Sequence, residues 1–131
     1  ESNTKATEKM KNALLKFTTH LTRLQERSTN LKTAGKDTTK LDGLIATATT
    51  AVATATTAVE VQAAKIYTLT ITNDVTVKAD VGKTTSQFRL DIQAAHKTVT
   101  AARLATLNAF AEATKLTEKR TTDASGSVMM Q

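Results

Sequence analysis

Residues 46–59 read Ala-Thr-Ala-Thr-Thr-Ala-Val twice over, ATATTAV at 46–52 and ATATTAV again at 53–59. An exact seven-residue repeat writes a helical period into the chain without any hydrophobicity scale. Thr is a mediocre helix former because its branched side chain loses rotamer freedom, so a strand has to be weighed. Period-two alternation fails at Thr49-Thr50 and again at Thr56-Thr57. The repeat is therefore read as helix. Extended outward, its stripe runs Leu41, Ile45, Ala48, Val52, Ala55, Val59, Gln62, Ile66 and Leu69 in alternating steps of four and three. This predicts a second helix over residues 38–72.

Upstream, Met10, Leu14, Phe17, Leu21, Leu24 and Leu31 follow the same alternation, with Ser28 in the one gap. They predict a first helix over 2–33, stopped by Gly35 in a left-handed conformation, and Asp37 then supplies an N-capping carboxylate. Downstream, Val77, Val81, Phe88, Ile92, Ala95, Val99, Ala102, Ala109, Ala113 and Leu116 predict a third helix over 74–120. Within 67–81, Leu69, Ile71, Val75 and Val77 also alternate with Thr around Asn73-Asp74, which is the pattern of a β-hairpin. The longer register favours helix there. Residues 121–131 are polar, contain Gly126 and end near Val128-Met129-Met130, and read as a tail, frayed or docking. The expected fold is all-α: an elongated up-down-up antiparallel three-helix bundle with coiled-coil-like heptad packing, in one domain over 1–120.

Composition narrows the chemistry. Of 131 residues, 28 are Thr, 21 are Ala and four are aromatic, with no Pro, Cys or Trp. Without Cys there is no disulfide, thiolate nucleophile, iron-sulfur cluster or Cys-ligated zinc. His20 and His96 have no Asp, Glu or His three or four residues away to build an acid-base or metal pair on one helix face. Gly82-Lys83-Thr84 imitates the end of a phosphate-binding loop, but position 77, where that pattern requires Gly, is Val77. Asp74, Asp80 and Asp91 are too dispersed for a calcium loop. No catalytic, cofactor-binding or metal-ligating residue is assigned, and an enzyme is the least favoured reading. Residues 43–59 carry no charge, but they include six Thr and fall short of the ~20 mostly apolar residues of a spanning helix. The expectation is that they do not cross a membrane.

The net charge is +6, and by count +4 of it lies in residues 1–33. Lys5, Lys9, Lys16, His20, Arg23 and Arg27 recur at steps of three, four or seven, which places them along one side of the first helix, a side that Glu26 interrupts. Of these, Lys5, Lys9, Lys16, Arg23 and Arg27 are candidate contacts for a polyanion, set beside the plain reading as a solvated basic face. An anionic surface polymer ranks above nucleic acid as that partner, because no aromatics are interleaved for base stacking. The uncharged second helix offers Ala46, Thr47, Thr50, Ala53, Thr54 and Thr57 as a candidate self-association face. The same Thr spacing admits a weaker reading as an ice- or solid-surface binder.

Two segments carry a resemblance. Leu21-x-x-Leu24-x-x-Arg27, Asn30-Leu31 and Gly35-Lys36-Asp37-Thr38 form the first. The second comprises Phe88-Arg89, then Ile92-Gln93-Ala94-Ala95-His96-Lys97-Thr98-Val99, then Ala102-Arg103. Together they resemble an uncharacterised family of small secreted helical proteins of candidate-phyla-radiation bacteria. This chain departs from that pattern in placing Thr where Glu and Lys are usual. The resemblance implies an exported, coiled-coil-like protein with no catalytic residues to carry over. Glu1 in place of Met fits a mature chain freed of its signal peptide, and fits equally a segment cut from a longer one. The expected function is that of a non-enzymatic structural or interaction protein, secreted or at the cell surface, with a polyanion-binding protein as the alternative.

Overall fold

A computed structural model describes the backbone of residues 2–67 and 77–126, and the side chains of 2–67 and 78–117. Three helices account for most of it: α1 Asn3–Thr33, α2 Thr39–Ala63 and α3 Val77–Gly126. Every pair of them is in contact, and the chain is an all-α three-helix bundle. The competing hairpin at 67–81 lies mostly outside the described residues, and its described end, from Val77 onward, is helix.

The Thr content is reconciled with helix by local bonding. Thr18, Thr22, Thr29, Thr49, Thr56 and Thr106 each donate to the carbonyl four residues back. This bond lets a Thr hydroxyl rest against its own helix. The heptad repeats in the bonding too: Thr49 reaches Ile45 and Thr56 reaches Val52, both at 2.8 Å.

α1 begins at Ser2, whose hydroxyl accepts the Lys5 N–H at 3.2 Å. It ends in a Schellman turn. Gly35 has φ +87, its N–H bonds to the Lys32 carbonyl, and the Lys36 N–H bonds to the Leu31 carbonyl, each at 2.9 Å. Asp37, expected to cap α2, instead sits one residue ahead of the observed N-cap. Thr38 is the N-cap, while Asp37 accepts the backbone N–H and the hydroxyl of Thr39.

Two expected boundaries are corrected. α2 stops at Ala63, not at Thr72, and Ile66 is 88% exposed where the stripe would bury it. The cause is a side-chain clasp. Asn3 donates to the carbonyls of Gln62 (2.9 Å) and Lys65 (3.3 Å), satisfying acceptors that a longer helix would otherwise use. Gln62 in turn donates to Asn3 and to the Tyr67 hydroxyl, and Tyr67 donates to Asp91 at 2.7 Å. Its ring meets Phe88 edge-to-face, with centroids 5.1 Å apart. The described α3 exposes Val81 and only half-buries Phe88, so the core stripe of this helix starts near Ile92, later than expected. At its other end α3 runs to Gly126, into the stretch read as a tail from 121. Nothing between Thr121 and Ser125 disfavours a helix, and Gly126, a poor helix former, is the last residue of α3.

A second clasp joins α1 to the start of α2. Asp42 accepts the Ser28 hydroxyl and the Thr38 hydroxyl (3.0 Å), and pairs with Lys32 at 3.0 Å. Among the described residues no buried side-chain nitrogen or oxygen lacks a partner.

These clasps make stability depend on pH at both extremes. The Ser28 hydroxyl, with Lys32 and Thr38, holds the Asp42 carboxyl below the usual carboxylate range, and the Tyr67 hydroxyl with Gln87 and Lys65 does the same for Asp91. A depressed carboxylate contributes stability that is present above its unfolded value, about 4, and is lost as pH falls through the lower folded value. Burial pushes the Tyr67 phenol up. Its contribution is present below the unfolded value, about 10, and is lost as pH rises through the folded one. Urea unfolding across pH should therefore fall off in acid and again in strong base. Asp42→Asn with Asp91→Asn should flatten the acid limb and Tyr67→Phe the basic one, and limbs unchanged in these variants would refute the assignment.

Candidate interaction surfaces

The described helices offer solvent two different faces. On α2, Ala46, Thr47, Thr50, Ala53, Thr54 and Thr57 are all exposed, on the side opposite the buried Leu41, Ile45, Ala48, Val52, Ala55 and Val59. No hydroxyl of Thr47, Thr50, Thr54 or Thr57 is hydrogen-bonded among the described residues, in contrast to Thr49 and Thr56. α2 is long and apolar enough to cross a membrane by length and composition, with a mean hydropathy of 1.3 over its best 18-residue window. Leu41, Ile45, Val52 and Val59 are nonetheless buried in the core of the bundle, while Val61 is exposed.

On α1, Lys5, Lys9, Lys16, His20, Arg23 and Arg27 are exposed as the spacing predicted. The structure adds what lies beside them. His20, Arg23 and Arg27 border an open groove between α1 and α3, floored by Leu24 and Phe110, with about 340 Å³ of space. A contiguous recess of about 230 Å³ is lined by His20, Leu24, Thr106, Leu107 and Phe110. Leu107 and Phe110 were missed by sequence reasoning, which followed Ala102, Ala109 and Ala113 along α3. The available signal was that both are large apolar residues off that stripe. Arg103 and His96 precede Phe110 by one and two heptads, so they share its face of α3, and both are exposed. Among the described residues no carboxylate pairs with Lys16, Arg23, Arg27 or Arg103.

Among the described residues no three His, Asp or Glu side chains are grouped as a metal would need. His20 and His96 are both exposed. Compared with models of known protein families, with curated proteins and with solved structures, the chain matches none.

Proposed function

We propose that this chain is a non-enzymatic interaction protein, secreted or at the cell surface, that acts through the sides of a helical rod and associates with further copies of itself through α2. The rod is read as up-down-up with heptad packing. The clasps support that direction: the start of α1 holds the end of α2 through Asn3 and Gln62, the end of α1 holds the start of α2 through Ser28 and Asp42, and Lys40 near the start of α2 reaches Glu112 far along α3 at 3.7 Å. The surface location rests on the resemblance to small secreted helical proteins.

The observation that carries self-association is the exposed face of α2, which holds Ala and unbonded Thr and has no charge from position 43 to position 59. Exposed helix faces ordinarily carry charge, which keeps identical neighbours apart. Here Ala46 and Ala53 permit close backbone approach, while Thr47, Thr50, Thr54 and Thr57 have hydroxyls to bond across the contact. α2 is taken to lie in the bundle and not across a bilayer, because Leu41, Ile45, Val52 and Val59 are buried in the core and its outer side from position 46 to position 57 is Ala and Thr.

Sedimentation velocity over a range of concentrations tests this reading. The native chain should sediment as an oligomer, and Thr50→Lys with Thr57→Lys should convert it to a monomer of unchanged helicity. A native chain that stays monomeric at high concentration would end the proposal.

A further inference from the structure

We infer that the groove between α1 and α3 is a docking site for an acidic amphipathic helix of a partner protein. The inference is independent of self-association through α2, which uses a different face. The groove combines an apolar floor with basic side chains. Its floor is apolar: Phe110 is 53% exposed and Leu107 47%, and both stand beside the buried Leu24. Its α1 rim is basic, with Arg23 and Arg27 lining it, and Arg103 stands one heptad before Phe110 on α3; none of the three is paired with a carboxylate among the described residues. The grooves between α1 and α2 differ. One is lined largely by Thr18, Thr22, Thr49 and neighbouring aliphatic side chains, and the other carries charge of both signs in Lys11 and Glu60.

Charge complementarity and shape select the occupant. A bare polyanion would meet Arg23, Arg27 and Arg103 but would leave Leu107 and Phe110 in water. An apolar helix without acidic residues would cover those two and leave the arginines unmatched. From Lys16 to Arg27 the basic edge runs about 16 Å, roughly three helical turns, with residues at steps of three and four. A helix laid alongside repeats at the same period, so its apolar seam can follow Leu24, Leu107 and Phe110 while carboxylates on its flanks follow the arginines.

The test is a fluorescence-anisotropy titration of the full chain with a labelled synthetic helix of about 18 residues, with Leu at two positions per heptad and Glu on both flanks. Poly-glutamate of the same length, and the same helix with Lys for Glu, serve as comparison probes. The acidic helix should bind at least about tenfold more tightly than either. Phe110→Ala and, separately, Arg23→Glu with Arg27→Glu should each weaken it by about tenfold or more. Only the Arg substitutions should also flatten the dependence on salt. Thr50→Lys with Thr57→Lys should leave it unchanged. These residues are exposed, so helicity and melting temperature should match the native chain, and Leu107→Ala replaces Phe110→Ala if that variant melts early. Poly-glutamate binding as tightly as the helix would show a plain polyanion site and overturn the proposal. So would an affinity indifferent to Phe110 and Leu107, or no binding.

Discussion

Leu41→Ala should lower the stability of the bundle by about 2 to 5 kcal/mol, and Leu21→Ala by a similar amount. Leu41 is fully buried and Leu21 is 7% exposed, and both belong to the single core cluster. The expected loss has two parts: the transfer of the deleted carbons and the cavity left behind. The second should be large here. Much of the surrounding core is Ala, at positions 48, 55, 95, 102, 109 and 113. An Ala has no rotamer with which to fill a vacated space. A domain this small is stable by roughly 5 to 15 kcal/mol, so one such substitution removes a large share. Urea unfolding of each variant measures it. Leu104→Ala, at 59% exposure, is the control and should stay within about 0.5 kcal/mol of the native chain. Losses below about half a kcal/mol at both Leu41 and Leu21 would mean that the core register is wrong.

That register was legible because the heptad is local. Ile45, Ala48, Val52, Ala55 and Val59 were placed on one side by the spacing of the stripe alone, and all are buried. The same holds for Met10, Leu14, Leu21, Leu24 and Leu31. Gly35 was legible for a different reason: a left-handed residue after a helical stripe favours Gly, and φ +87 is what it adopts. The end of α2 could not be read locally. It is decided by Asn3, 59 residues from Gln62, and by Tyr67 reaching Asp91. Up to Leu69 the stripe pattern itself gives no reason to stop. Ser28 and Gln62 were counted as polar fillers of a stripe, yet each anchors a clasp, which only the position of its partner reveals.

The candidate surfaces were legible to different extents. The basic edge of α1 and the Ala/Thr face of α2 lie on single helices, so spacing was enough to align them. The groove is made by two helices. Its α3 wall depends on which side of α3 turns toward α1, and that follows from packing and not from the period of either helix.

Ala55→Leu and Ala109→Leu are the substitutions whose sign is most informative. Each Ala is fully buried, as are Ala48, Ala102 and Ala113. Helix propensity makes Ala→Leu nearly neutral. Burying a Leu instead of an Ala favours the folded state by the transfer of three further carbons, at about 0.8 kcal/mol each. Both terms together would stabilise the bundle if there were room. Only a helix contact already closed around Ala reverses the outcome, because the added carbons then force neighbouring side chains off their rotamers or push the helices apart. We expect the reversal, a loss of about 1 to 3 kcal/mol at each site and more where the backbone cannot yield. Ala94→Leu, on the exposed side of α3, should be close to neutral and separates packing from propensity. Thermal and urea unfolding of the three variants decide between the two signs. A more stable Ala55→Leu would mean that α2 stands off from its neighbours, with its small residues filling space loosely instead of setting the distance between helices.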